Sequence, residues 1–184
     1  MTAPENFWIR WRVRTGYPVA LAFLLLADPT KISLLIGIAV GIVGLAIRAW
    51  AAGFLRKHEA LATDGPYALT RNPLYFGSAI LAMGVIVAGK SVWGGSLVFI
   101  YILLFYPAVM RREETELRER YGQQFETYAA RVRLFCPKMR TSAPNLAEAA
   151  KFSSRLYSEN REYQAAIGFL LGIVVLWVKM LWTK

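Results

Sequence analysis

The chain has 184 residues, of which 56% are hydrophobic and 14% aromatic, and it carries a formal net charge of +10. With a mean hydropathy of +0.36, this is too apolar for an ordinary soluble domain of its length and reads as an integral membrane protein. The basic residues cluster beside apolar runs, where anionic lipid head groups attract them; no zinc-knuckle or helix-turn-helix spacing supports a nucleic-acid partner.

In chain order, residues 1–14 are aromatic and basic, and no small-residue cleavage signal follows the next apolar run, so this start is expected to stay attached rather than be removed as a secretory peptide. Apolar runs cover residues 17–27, 32–55, 74–88, 92–110 and 166–182. Against the roughly 20 residues a helix needs to cross hydrocarbon, they predict five spans. The first reaches that length only if Val13 and its neighbours join it while their arginines snorkel. Arg48 lies inside the second run; it either marks an inner polar pocket or snorkels to head groups. Gly37-x-x-x-Gly41 and Gly168-x-x-x-Gly172 offer close backbone approach, and the second pair suits a homodimer contact through the C-terminal span.

Arg10, Arg12 and Arg14 precede span one, Arg56 and Lys57 follow span two, and Arg111 and Arg112 follow span four, whereas the opposite turns carry only Lys31 and Lys90. The positive-inside rule therefore places the N-terminus and the polar segments in the cytoplasm. Asp28-Pro29-Thr30 and Gly89-Lys90-Ser91 are the outer turns. Residues 111–133, rich in Glu, Arg and Gln, predict a surface helix interrupted near Gly122 and ended by Pro137. Residues 146–164 suit either an amphipathic interfacial helix or a solvated connector. The chain is thus expected to be an all-α polytopic bundle: N-terminal spans in 1–56, a functional core in 57–137, and a connector with a last span in 138–184. One cysteine, Cys136, and one histidine, His58, make neither a disulfide nor a structural zinc site, so no metal is expected and Cys136 reads as a packing residue.

The stretch Gly65-Pro66-Tyr67-Ala68-Leu69-Thr70-Arg71-Asn72-Pro73-Leu74-Tyr75-Phe76-Gly77 opens the apolar hairpin of spans three and four, and Arg111-Arg112-Glu113-Glu114 closes it. Cations, carboxylates and aromatics from two segments are thereby brought to one membrane surface. Arg71 presents a planar fork suited to a carboxylate, or to lipid phosphate. Adjacent helical residues point about 100° apart, so which of Glu113 and Glu114 faces the site more directly stays open and the two are taken jointly. His58 can hydrogen-bond a ligand, accept a proton or serve as an interfacial structural residue. Tyr67 and Tyr75 either line a pocket or belong to an aromatic belt; Gly65, Pro66 and Gly77 let the backbone turn and approach closely.

From Lys57 to Pro137, through Arg71-Asn72-Pro73-Leu74-Tyr75-Phe76-Gly77, Glu113-Glu114, Tyr121-Gly122, Tyr128 and Val132, the chain resembles the membrane methyltransferases that include isoprenylcysteine carboxyl methyltransferase and the phosphatidylethanolamine N-methyltransferases. The resemblance implies S-adenosylmethionine as methyl donor, S-adenosylhomocysteine as product, and a lipid or other lipophilic acceptor entering from the bilayer. It implies catalytic roles for Arg71, His58 and Glu114, and a cofactor region of His58, Gly65, Pro66, Tyr67, Leu69, Arg71, Asn72, Pro73, Tyr75, Gly77, Glu113 and Glu114. Asn72 stands where the isoprenylcysteine enzymes have His, giving the Asn-Pro-x-Tyr of the phospholipid enzymes, while the Glu-Glu to Tyr-Gly to Pro series looks like the carboxyl methyltransferases. Phospholipid amine and lipid carboxylate acceptors stay open. So do a membrane sterol-type reductase using NADPH and a non-enzymatic scaffold or small transporter.

Overall fold

Short capping signals set where the apolar runs become helices. The computed structural model describes residues 3–56, 59–137 and 152–183. These form seven helices and no strand: α1 (Ala3–Leu26), α2 (Lys31–Ala52), α3 (Pro73–Gly89), α4 (Val92–Tyr121), α5 (Gln123–Arg131), α6 (Ser154–Glu159) and α7 (Tyr163–Trp182), with a 3-10 turn at Gly65–Ala68. Thr30 and Ser33 cap α2 reciprocally, each side-chain oxygen accepting from the other's backbone N–H at 3.3 and 2.9 Å. Ser91 caps α4 by accepting from the Gly94 N–H. Pro73 opens α3 at its first position. The two turns at this end of the bundle are joined where the Asp28 N–H donates to the Gly89 carbonyl.

α2, α4 and α7 are long and apolar enough to cross a membrane; α3 and residues Arg14–Leu26 of α1 are shorter apolar helices. Their outward faces carry large apolar side chains such as Leu35, Leu103 and Leu170, as expected where lipid is the solvent. α2 and α3 make the closest pair, followed by α1 and α4. Small residues allow that closeness: a Cβ on Gly44 would lie 2.5 Å from the Leu81 nitrogen, and one on Gly84 2.6 Å from the Gly41 nitrogen. Gly37 and Gly41 are consumed in this contact, whereas Gly168 and Gly172 face open space. α7 closes the bundle with Ile173, Leu176 and Met180 packed near Phe23, Leu34 and Ala88, and its Lys179 ammonium donates to the carbonyls of Leu24 and Leu25 at the end of α1, both at 2.7 Å.

Two expectations need correction. α4 does not stop at residue 110 but runs unbroken to Tyr121, so the surface helix is a continuation of the span. α5 ends at Arg131, before Pro137, because Val132 leaves the helical conformation and the carbonyls that follow are used by the 70–72 turn. Of residues 146–164, read as either an interfacial helix or a connector, 154–159 form the short helix α6 capped by Ser153, and α7 begins at Tyr163. Residues 146–151 lie outside the described ones. Gly122 forms the break between α4 and α5 as expected, with φ +47° and ψ −123°, a conformation that glycine alone adopts without strain.

Candidate functional site

The site is built where α3 begins and α4 leaves the apolar layer. The turn before α3 is fastened to the irregular segment after α5. The Arg71 N–H donates to the Arg133 carbonyl at 2.9 Å, the Thr70 hydroxyl to the Phe135 carbonyl at 2.8 Å, and the Asn72 amide to the Leu134 carbonyl at 3.0 Å. The Tyr128 hydroxyl donates to the Tyr67 carbonyl at 2.7 Å, and Phe76 meets Phe135 edge-on at 5.7 Å. Thr70, Asn72, Pro66, Tyr67 and Pro73 are buried in this latch. Leu69 is half-buried beside them. Gly65, at φ +57°, packs against the Phe54 ring, which a Cβ would approach to 2.8 Å.

Held this way, Arg71 turns its side chain toward α4. Its Nε lies 2.9 Å from Glu114 Oε1, and another guanidinium nitrogen donates to the Ala129 carbonyl at 3.3 Å. The Nε–Oε1 contact is an ion pair without the alignment of a hydrogen bond, so both atoms are buried with no hydrogen-bond partner. Such atoms are costly to leave unmatched. In the first turn of α3, the Tyr75 hydroxyl donates to Glu113 Oε1 at 2.6 Å, and its ring stands edge-on to Tyr106 at 5.3 Å. Both glutamates of the pair, taken jointly from the sequence, reach this turn. Arg71 lies before α3 and Tyr75 within it, so two neighbouring positions of α4, 100° apart, each meet a different part of the same turn.

Tyr67 and Tyr128 are both held above the usual tyrosine range. Burial is the main cause for each; Tyr128, Glu113 and Glu162 add to it at Tyr67 while Arg48 opposes, and Arg71 opposes it at Tyr128. Both hydroxyls stay protonated at neutral pH and act as hydrogen-bonding groups, not bases. His58 lies outside the described residues.

A second charged pair, which sequence reasoning did not assemble, lies beside the first. Arg48 of α2 donates through Nε to Glu162 Oε2 at 3.0 Å and through a terminal nitrogen to Oε1 at 2.9 Å, while its other terminal nitrogen reaches the Leu74 carbonyl at 3.4 Å and the Ser78 hydroxyl. Gly77 makes room for it, since a Cβ there would sit 2.8 Å from Arg48 Cγ. The one available signal was the arginine itself: a charge inside a span requires a partner at its own depth, and Glu162 precedes the last span at that level.

Cys136 is exposed, and no three His, Cys, Asp or Glu side chains converge among the described residues. The Arg71–Glu114 arrangement fits the amino-acid end of a ligand: an unaligned guanidinium nitrogen for a carboxylate and an unaligned carboxylate oxygen for an ammonium, beside tyrosine walls.

Residues 20–124 match the profile of the family described as phospholipid methyltransferase. The chain is 31% identical over 150 residues to the cobalt-zinc-cadmium resistance protein CzcN of Cupriavidus metallidurans, covering 74% of this chain and 68% of the relative. It is 32% identical over 107 residues to the nickel-cobalt-cadmium resistance protein NccN of Alcaligenes xylosoxydans xylosoxydans, covering 57% of this chain but only 48% of that relative. No solved structure matches it significantly.

Proposed function

The chain belongs to the phospholipid methyltransferase family, and from that premise we propose that it transfers a methyl group from S-adenosylmethionine to a lipophilic acceptor in the membrane. The observation that carries this reading is the buried, unaligned contact of Arg71 Nε with Glu114 Oε1. A zwitterionic amino-acid end that replaces their direct contact gives each atom an aligned partner, the guanidinium taking the carboxylate and Glu114 the ammonium. When bound, S-adenosylmethionine supplies an electrophilic methyl carbon on a sulfonium.

The residues of this chain then bind, orient and exclude water. The latch of Thr70, Asn72 and Tyr128 fixes the Arg71 backbone, so the fork has little freedom to lose on binding. Tyr75, held by Glu113 and Tyr106, forms an aromatic wall on the apolar side, where a lipid acceptor would approach. A carboxylate acceptor needs no base. An amine acceptor must lose a proton, and Glu113, the carboxylate on that wall, is placed to take it. The basic residues at this end of the bundle support a cytoplasm-facing site.

Calorimetry on the detergent-solubilised full chain tests this directly. S-adenosylmethionine and S-adenosylhomocysteine bind saturably, NADPH does not, and Arg71→Ala and Glu114→Ala each weaken binding. Folded protein that binds neither sulfur ligand overturns the reading, and NADPH binding replaces it with the reductase. The relatives named for metal resistance supply a second assay: growth with Co2+, Zn2+ or Cd2+ with and without the gene reports whether the methylated product serves that setting.

A further inference from the structure

The groove between α2 and the α6–α7 joint is not used by the site above. It runs about two helical turns, roughly 10 Å, along α2, walled by Ile42, Leu45 and Ala166 and ending at Tyr157 and the Arg48–Glu162 pair. Its lining is almost wholly apolar, it is open on one side, and its volume is about 270 Å³. That lies below the roughly 300–1,000 Å³ of ordinary ligand pockets, which suits one apolar chain and not two.

The two members of the pair are not equivalent. Arg48 is held from α3 as well, by the Leu74 carbonyl and the Ser78 hydroxyl, so it stays in place when its carboxylate partner leaves. Among the described residues, the Glu162 carboxylate hydrogen-bonds to Arg48 and to no other group. It is carried by a joint outside the family-matched residues 20–124. The joint is anchored independently: the Asn160 amide donates to the carbonyls of Ala52 and Leu55 at 3.0 and 2.9 Å, the Ser153 N–H donates to the Gly53 carbonyl at 3.0 Å, and Arg161 turns the chain at φ +55°. The Glu162 side chain can thus swing away without undoing its own loop. Arg48 is the fixed receptor and Glu162 the displaceable ligand.

We propose that this groove binds a single-chain amphiphile with an anionic head, a carboxylate or a phosphate, which takes the Arg48 guanidinium by displacing Glu162. The exchange replaces one bidentate anion by another, so the guanidinium is never left bare. Because Arg48 also holds the Leu74 carbonyl in the first turn of α3, the head would lie behind the turn that carries Tyr75. The groove's role in presenting an acceptor rests on the methyl-transfer reading; binding itself does not.

The test uses the purified full chain in an uncharged detergent, with no methyl donor, so its failure leaves that reading standing. Displacement of a fluorescent undecanoate is followed with dodecanoate, dodecyl phosphate, dodecyltrimethylammonium and inorganic phosphate. Dodecanoate or dodecyl phosphate competes, and the stronger of the two identifies the head; the ammonium and inorganic phosphate do not. Glu162→Gln, which removes the internal competitor, tightens the anionic amphiphile by about fivefold or more. Arg48→Gln abolishes binding, with helicity by circular dichroism as its folding control. Equal competition by the ammonium or by inorganic phosphate, or unchanged or weaker binding to folded Glu162→Gln, overturns the proposal.

Discussion

Two arginine–glutamate pairs lie side by side at one end of this bundle, and they differ in how completely each is satisfied. Arg48 and Glu162 are joined bidentately, with α3 supplying the remaining acceptors. Arg71 and Glu114 touch at 2.9 Å yet leave both facing atoms without a hydrogen bond. The saturated pair ties α2, α3 and the α6–α7 joint together and opens only to an anion that replaces Glu162, whereas the unsaturated pair still has two atoms to be aligned, which is why we assign the methyl donor to it. Distance alone does not tell the two apart; alignment does.

The sharpest way to break this comparison is to remove each arginine and read donor binding. Arg71→Ala weakens S-adenosylhomocysteine by about 30-fold or more, the scale of deleting one member of a buried charged contact, while Arg48→Ala changes it by less than about threefold; equal losses would erase the distinction. Stability reverses the ranking. Glu162→Ala leaves two Arg48 donors without their acceptor and costs about 1–3 kcal/mol, whereas Glu114→Ala, which breaks no aligned bond, costs less; thermal unfolding in detergent measures both.

Gly122→Ala sharpens the comparison from a distance. Its backbone strain costs about 1–2 kcal/mol and displaces α5, which carries the Ala129 carbonyl held by Arg71, so donor binding weakens while the α2–α7 groove keeps its ligand. The smallest effects come from the tyrosines. Tyr128→Phe removes one hydrogen bond, about 0.5–1.5 kcal/mol. Unfolded tyrosines ionise near about pH 10, and because burial holds Tyr67 and Tyr128 above that value in the fold, the unfolded state binds fewer protons in alkali. Stability is full below about pH 10 and falls as pH rises beyond it; Tyr128→Phe flattens that decline.

What the sequence revealed follows from how local its signals are. Arg71, Tyr75, Glu113 and Glu114 could be picked out because turn residues before Pro73 and charges after a long apolar run mark the two ends of a hairpin. That α4 continues to Tyr121 was hidden, because a charged helix directly after an apolar one has the composition of a boundary even though no Gly or Pro lies between Met110 and Gly122. The latch was hidden for a different reason. Thr70 and Phe135 are 65 positions apart, and nothing in a threonine's surroundings names a distant carbonyl. Glu162 reaches Arg48 across 114 positions, and only the cost of an arginine in a span demanded that some carboxylate be found. Asn72, expected in the cofactor region, spends its amide on the Leu134 carbonyl.

The lysine near the end of α7 has a consequence for how the chain is made. Lys179 supplies donors to the carbonyls of Leu24 and Leu25, 155 and 154 positions earlier, and those are groups that α1 cannot satisfy internally at its own end. The end of α1 therefore keeps two open acceptors until α7, far along the chain, has docked against it. Docking of α7 and sealing of α1 are thus one event, and a chain whose residue 179 carries no donor leaves that helix end open.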